Sequence, residues 1–263
     1  MKRTAILILT IALCFSTTAC VSGQKNSSDD KDEPYSTPAA SVISSDVPTK
    51  ESVENQLRVI SENSSMWLND TDDGSSGFAV TDLDHNGRLE IIFSSCQGTG
   101  FYSYNQIWEV NREFDAIELC EAETKEGDSQ ADIMVQSVPL FYDSESNAYY
   151  YIFDDLLKNG AAEYYENKRA ILLQEGKLLE TPLAYKSTIY SDSNSSKITC
   201  TDADGKEISE EEYDNIADQF FGKYEKHQVS IGWITNALDP LQDMSMERLL
   251  SALKESYNSF VVN

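Results

Sequence analysis

Residues 81–90 read TDLDHNGRLE, and this acidic loop with its apolar flanks is the stretch that decides the local fold. Phe78 and Val80 before the loop, and every second residue from Leu89 to Phe93 after it, are apolar. This period of two is typical of half-buried strands. Asn-Gly at residues 86–87 favours a tight turn between antiparallel strands. The sequence therefore predicts a β-hairpin closed by an acidic loop.

Further apolar or aromatic runs, separated by polar turns, continue the pattern as far as residue 201. Glu175-Gly176 and Asp204-Gly205 are turn dipeptides between such runs. Short connections join antiparallel neighbours, so we expect a meandering antiparallel sheet. The predicted strands are residues 78–80, 89–94, 102–110, 116–120, 138–142, 149–153, 164–174, 177–190 and 197–201.

Helices are predicted at both ends of the same region. Apolar residues recur at helical spacing between residues 51 and 63. Ser209 and Glu212 form a capping box at the start of a second helix, and a third begins near Ser245. Strands bracketed by helices, without β–α–β alternation, favour an α+β domain with one N-terminal and two C-terminal helices. The predicted buried stripes of the C-terminal helices are Tyr213, Ile216, Ala217, Phe220 and Phe221, and Met246, Leu249, Leu250, Leu253 and Tyr257.

The N-terminus has the order of a secretory signal peptide, predicted at residues 1–19. Basic residues stand at positions 2 and 3, residues 5–15 are apolar except Thr10, and small residues lead to Cys20. The apolar run is too short for a permanent membrane span. Residues 21–50 hold seven serines and three of the six prolines of the chain. Such a composition predicts a flexible tether over residues 20–50, and a globular domain over residues 51–263.

Small residues ending in Cys20 resemble the signal of bacterial lipoproteins, in which this cysteine is acylated and begins the mature protein. The family usually has Leu three positions before the cysteine, where this chain has Thr17. Thr17 and Ala19 could also serve an ordinary signal peptidase, which would release an unlipidated protein with a free Cys20 thiol. We favour the lipoprotein interpretation, which implies a lipid membrane partner through acylated Cys20 and a position on the extracytoplasmic face of the cell membrane.

The composition argues against several classes of function. With 20 basic and 45 acidic residues the net charge is −25, which repels phosphate backbones and excludes nucleic-acid binding. With two histidines and no C-x-x-C motif, a Cys/His zinc site is not expected. Cys96 and Cys120 could form a disulfide or remain buried free thiols. No Ser–His–Asp or Cys–His set can be assembled, so we assign no catalytic residue.

The acidic loop carries oxygen-bearing side chains at metal-binding spacing. Asp82, Asp84 and Asn86 occupy positions one, three and five, the carbonyl of Arg88 position seven, and Glu90 position nine. This order resembles the calcium loop of EF-hands and of integrin-type propeller repeats. An EF-hand needs a glutamate at position twelve, where this chain has Phe93, so we expect a strand–loop–strand site with structural calcium. The alternative is a plain hairpin in which Asp82 and Asp84 are ordinary turn residues.

Residues 202–207, DADGKE, resemble the acidic loop at first sight. The fifth position of this stretch is Lys206, which offers no oxygen ligand. We therefore predict a simple hairpin turn that leads into the helix capped by Ser209.

The chain as a whole resembles uncharacterised lipoproteins of anaerobic Gram-positive bacteria. These combine a lipidated cysteine, a serine-rich tether and a single D-x-D-x-N-G hairpin. The resemblance implies a surface-exposed, calcium-stabilised domain with no established activity. Our first hypothesis is therefore a non-enzymatic surface lipoprotein that binds calcium and contacts a wall polymer, a glycan or a protein. The alternative is an extracellular hydrolase acting on a glycan or cell-wall polymer.

Overall fold

The computed structural model describes residues 49–68, 75–122, 130–192, 195–235 and 244–263. The predicted signal peptide at residues 1–19, the acylation site Cys20 and nearly all of the tether lie outside these ranges. They remain predictions from sequence. Within the described ranges, no helix has the length and apolar character needed to cross a bilayer.

The chain builds its helices and strands in the following order. The elements are α1 (Val53–Glu62), α2 (Ser64–Trp67), β1 (Ser75–Thr81), β2 (Glu90–Gln97), β3 (Tyr102–Val110), β4 (Ile117–Leu119), β5 (Glu121–Ala122), β6 (Ser137–Asp143), β7 (Ala148–Asn159), β8 (Glu163–Gln174), β9 (Lys177–Asp192), β10 (Ser195–Asp202), β11 (Glu207–Ile208), α3 (Glu210–Asp214), α4 (Ile216–Phe221), β12 (Glu225–Ser230), β13 (Ile234–Thr235), α5 (Met246–Asn258) and β14 (Val261–Val262). Each of the nine predicted runs coincides with a strand, which confirms an α+β protein with a largely antiparallel framework.

The strands form two largely antiparallel sheets, whereas the sequence predicted a single meandering sheet. The five-stranded sheet has the order β13-β1-β2-β3-β4. The nine-stranded sheet has the order β11-β10-β9-β8-β7-β6-β12-β14, and β5 pairs in parallel with β9. The physical reason lies in the first strands: Phe78, Ala79 and Val80 are all fully buried, so apolar layers must cover both faces of this sheet.

One of these layers is the second sheet. Ala79, Ile92 and Ile107 of the five-stranded sheet share a buried cluster with residues on one face of the nine-stranded sheet. The two sheets therefore pack face to face as in a sandwich. The residues contributed by the nine-stranded sheet include Val138, Leu140, Tyr151, Phe153, Ile171, Leu173, Leu178 and Val229.

The other face of the five-stranded sheet is covered by helices. Leu57 and Ile60 of α1, with Leu249 and Leu253 of α5, share a buried cluster with residues that include Phe78. Ser52 caps α1 by accepting a hydrogen bond from the backbone N–H of Asn55, and Ser245 caps α5 by accepting one from that of Arg248. The layered order of helices, sheet and sheet places the hairpin of β1 and β2 in the middle of the domain.

The C-terminal helical region departs from expectation in detail. The capping box of Ser209 and Glu212 is present, but the predicted helix is divided at Asn215 into the short helices α3 and α4. The division turns Ala217 and Phe221 onto the outer face of the nine-stranded sheet and leaves Phe220 58 % exposed. Phe220 was therefore wrongly placed on a buried stripe, and so was Met246, which is 49 % exposed.

Candidate metal site

The acidic loop joins β1 and β2 as the sequence predicts. The two strands are antiparallel, with Thr81 opposite Glu90 as the last pair before the loop. Gly87 has a φ of +82°, a left-handed conformation that glycine adopts without strain. The Oδ1 atom of Asp82 accepts a hydrogen bond from the Gly87 N–H at 3.4 Å, and that of Asp84 accepts one from the Asn86 N–H at 3.3 Å. These bonds turn the carboxylates of the loop towards its interior.

Three carboxylates of the loop converge. Asp82, Asp84 and Glu90, called here the carboxylate cluster, each place an oxygen within 4.8 Å of the others. Asp82 and Asp84 are partly exposed, whereas Glu90 is fully buried. At an effective dielectric constant of about 20, two full charges at this separation repel by about 3 kcal/mol. Three such pairs would amount to a large fraction of a domain's stability, which favours the uptake of protons or of a cation by the cluster.

Glu90 is the most informative member of the carboxylate cluster. Its Oε2 atom accepts hydrogen bonds from the Thr81 hydroxyl at 2.9 Å and from the Leu83 N–H at 2.7 Å. Its Oε1 atom is buried and has no hydrogen-bond partner. A buried carboxylate oxygen without a donor is costly, and it is the kind of atom that a bound cation satisfies.

The electrostatics of the loop reflect the crowding of acids. Burial, opposed by the Gly87 hydrogen bond and assisted by the charge of Asp84, raises the pKa of Asp82 to about 6. Burial raises the pKa of Asp84 above its ordinary value. The pKa of Glu90 is raised well above its ordinary value, chiefly by burial and further by the charges of Asp84 and Asp82. These carboxylates thus hold protons more tightly than exposed acids do, unless a cation offsets their charge.

A fourth acid, Glu109 of β3, lies beside the carboxylate cluster and was not predicted. It stands opposite Glu90 in the sheet, and its Oε1 atom accepts a hydrogen bond from the Asn86 amide at 2.7 Å. Its Oε1 atom also forms a salt bridge of 2.6 Å with the Arg88 guanidinium. In this group, one cationic side chain, that of Arg88, therefore accompanies four carboxylates. No local signal in the sequence could have identified Glu109, because its position depends on the pairing of β2 with β3.

The structure brings some of the predicted ligands together and gives others different contacts. Asp82, Asp84 and Glu90 are brought together as predicted. Asn86 lies alongside: its amide donates to Asp84 Oδ2 at 2.8 Å, and its Oδ1 atom accepts from the Arg88 N–H at 2.7 Å. Arg88 contributes its side chain to the pair with Glu109, whereas ligation by its carbonyl oxygen remains a prediction.

Two other elements hold the loop in place. Gln56 of α1, which is 1 % exposed, donates to the Gly87 carbonyl at 2.9 Å and accepts from the Leu89 N–H at 2.7 Å. The Tyr151 hydroxyl of β7 donates to the Leu83 carbonyl at 2.8 Å. The loop thus connects α1, the five-stranded sheet and the nine-stranded sheet through hydrogen bonds. Neither Gln56 nor Tyr151 could be assigned to the site from its sequence neighbourhood.

Aromatic side chains line up next to the loop. The ring of His85 lies 4.2 Å from that of Tyr149, which stacks on Tyr142 with centroids 4.6 Å apart. Tyr142 and Tyr149 are half-buried, and His85 is exposed. We call these three residues the aromatic row. Their rings present a mixed apolar and polar surface that begins at His85, the residue after Asp84.

The cysteines of the described region are all free. Cys96, Cys120 and Cys200 form no disulfide, so the alternative of a buried free thiol is confirmed for Cys120, whereas Cys96 is free but only partly buried. Burial raises the pKa of the Cys96 and Cys200 thiols and raises that of Cys120 much further, which suppresses the reactive thiolate form. His227, the other histidine, lies on β12 and has Glu225 Oε2 3.8 Å from its Nε2 atom.

Comparisons with known proteins add no further assignment to this geometry. The chain matches no protein-family model, no curated protein and no solved structure. What the carboxylate cluster can do must therefore be argued from its own atoms.

Proposed function

We propose that residues 82–90 bind a calcium ion, and that this ion stabilises an extracytoplasmic domain. The observation that carries the proposal is the buried Oε1 atom of Glu90, which has no hydrogen-bond partner and belongs to a cluster of three converging carboxylates. All side-chain donors in the cluster are oxygens, which suit hard cations such as calcium rather than zinc or copper.

Calcium fits these donors better than magnesium does. Calcium accepts six to eight oxygen ligands in flexible geometry, whereas magnesium demands a near-ideal octahedron and retains several waters. Partly exposed Asp82 and Asp84 leave room for water or backbone oxygens to complete an irregular shell. Extracellular calcium modules bind with dissociation constants of about 10⁻⁴–10⁻³ M. This range matches a role in a calcium-rich environment outside the cell.

The role of the ion is structural. Two positive charges would offset the repulsion among Asp82, Asp84 and Glu90. The same loop is hydrogen-bonded to Gln56 of α1 and to Tyr151 of β7. Calcium would therefore stabilise the place where one helix and both sheets meet.

The wider function follows from combining the site with the sequence. We propose a cell-surface lipoprotein, attached to the membrane by acylated Cys20, whose domain binds a wall polymer, a glycan or a surface protein. The aromatic row of His85, Tyr149 and Tyr142 supports contact with a glycan, because aromatic rings present large, partly apolar surfaces beside polar groups. The alternative of an extracellular hydrolase stays a prediction from sequence.

Thermal unfolding of the purified protein tests the calcium site directly. With 5 mM calcium and the dissociation constants above, binding adds about 1–2 kcal/mol to the free energy of unfolding. We expect the Tm to rise by about 3–8 °C relative to the same protein in chelator. Magnesium at equal concentration and ionic strength serves as the control and should give a smaller rise. Superimposable curves in calcium and chelator would reject the proposal.

A further inference from the structure

A cavity of about 240 Å³ lies between the two sheets. Ile92 and Ile107 form its wall on the five-stranded sheet, while Tyr151, Phe153 and Ile171 form its wall on the nine-stranded sheet. Each of these five side chains is at most 5 % exposed. Protein interiors are close-packed, and voids larger than a water molecule are few. A cavity of this size among well-buried side chains is therefore a specific feature of the molecule.

The cavity reaches the surface at one end. Leu119, which is 51 % exposed, and Tyr104, which is 44 % exposed, line it there together with exposed Glu121 and Ala122. Among the described residues of the lining, these are the ones that are exposed to solvent. The cavity thus combines an apolar floor with an open and more polar end, which is the usual form of a small-molecule site.

We infer that this cavity binds a small, uncharged, mainly apolar ligand. The size supports the inference, because an engineered cavity of about 150 Å³ lined by Leu, Ile and Phe stays dry and binds benzene. The cavity here is larger and has an entrance, so it can accept a short hydrocarbon chain or a substituted ring. Of the five wall residues named above, only Tyr151 carries a polar group, and its hydroxyl already donates to the Leu83 carbonyl.

The charge at the cavity disfavours an anionic ligand. Among the described residues that line it, none carries a positive charge. Glu121 and Glu180 contribute carboxylates, and Glu180 Oε2 is bonded to Arg169 at 2.9 Å. A fatty acid would therefore place its carboxylate against negative charge. The other polar side chains of the lining include the uncharged amides of Asn105, Gln106 and Gln130.

The ligand site does not depend on the calcium proposal. Leu83 and Tyr151 line the cavity and also belong to the metal loop or its supports, but the remaining walls come from residues with no part in the cation site. Binding can therefore be measured in chelator as well as in calcium. A protein that binds no calcium could still bind the apolar ligand.

The test compares 1-hexanol with hexanoate, which have the same chain length but differ in charge. We expect hexanol at ten times its dissociation constant to raise the Tm of the full chain by about 3 °C or more. Hexanoate at equal concentration should raise it by less than half as much. An equal or larger rise with hexanoate, or no rise with hexanol, would overturn the inference.

Substitution at one wall residue locates the binding. Ile107→Phe fills the cavity and should abolish the response to hexanol, whereas Ile107→Ala enlarges the cavity and should retain it. Ile152, buried on the opposite face of β7 and absent from the cavity wall, provides the control Ile152→Ala, which should also retain the response. A response to hexanol that survives Ile107→Phe would contradict the assignment.

Xenon keeps the inference testable if Ile107→Phe does not fold. Xenon binds dry apolar cavities, so the unaltered protein should give a saturable ¹²⁹Xe chemical-shift change. Hexanol should displace the bound xenon. A linear, non-saturable xenon response would count against a discrete cavity site.

Discussion

Two hairpins of this domain carry acidic turns of nearly the same kind, one at residues 82–87 and the other at residues 202–205. Gly87 and Gly205 have the same φ of +82°. In both turns an aspartate oxygen accepts backbone N–H bonds, with Asp202 Oδ1 accepting those of Asp204 at 3.1 Å and Lys206 at 2.9 Å. The two turns thus share a left-handed glycine and an aspartate that accepts backbone N–H bonds.

Their surroundings differ completely. When Asp82 is counted as position one, Glu90 occupies position nine of the first turn and is fully buried in β2. When Asp202 is counted as position one, position nine of the second turn is Glu210, an exposed residue at the start of α3. Gln56 of α1 and Glu109 of β3 form hydrogen bonds with residues of the first turn. Within the described ranges, the one group of three acids spaced for a metal is Asp82, Asp84 and Glu90. Local sequence builds the turn, and burial by distant elements makes it a candidate site.

The largest expected effect comes from removing the support that only the first turn possesses. Gln56→Leu leaves the Leu89 N–H and the Gly87 carbonyl without their partner, at a cost of about 2–4 kcal/mol. Chemical denaturation should report this loss as a lower midpoint. The comparison variant Asp202→Ala removes two bonds of the exposed turn and should cost less than about 1 kcal/mol, because water replaces the lost acceptor. Equal losses for the two variants would remove the distinction between the turns.

The second-largest expected effect distinguishes the charge of Glu90, at the ninth position of the loop, from its packing. Glu90→Gln keeps an acceptor for Thr81 and Leu83 but removes one negative charge from the carboxylate cluster. We expect the calcium-induced rise in Tm, about 3–8 °C, to disappear, while the Tm in chelator stays equal or increases. Isothermal titration calorimetry should likewise lose the calcium binding heat.

Glu210→Gln is the matched control for Glu90→Gln. It makes the same chemical change at the same position relative to the second turn, on an exposed side chain. The calcium-induced rise should remain intact, with a stability change below about 1 kcal/mol from the weaker helix N-terminal charge. A calcium response lost equally in both variants would indicate a general charge effect.

The smallest effect concerns pH. The pKa of Asp82 is raised to about 6 in the folded protein, above its ordinary value of 3.8. Folding therefore favours the protonated form, and the free energy of unfolding in chelator should fall as pH rises from about 4 to about 6. After allowance for solvent screening we expect a decline of about 1 kcal/mol, measured by denaturant unfolding at several pH values.

Calcium and a substitution both check the pH dependence. Saturating calcium should cancel the decline, because the ion stabilises the ionised carboxylates. Asp82→Asn should flatten the profile in chelator, whereas Asp202→Asn, the same change in the exposed turn, should leave it unaltered. A profile that rises from pH 4 to pH 6 in chelator would contradict the stated direction.

Much of the secondary structure could be predicted, because strands longer than a few residues carry a period in their side chains. The capping box of Ser209 and Glu212 was likewise visible, since its partners are three residues apart. Two-residue strands such as β13 and β14 carry no period and were missed. The charged strand β12 was missed as well, because apolar and polar residues do not alternate in its sequence, EKHQVS.

The sequence by itself determined the acidic loop, its flanking strands and the three carboxylates, because all of these depend on contacts between near neighbours in the chain. Only the tertiary structure decided that Glu90 is buried with one oxygen unpartnered, that Glu109 and Gln56 join the loop, and that two sheets enclose a cavity. These features arise from pairing and packing between segments far apart in sequence. No local pattern encodes which side chains such packing brings together or excludes from water.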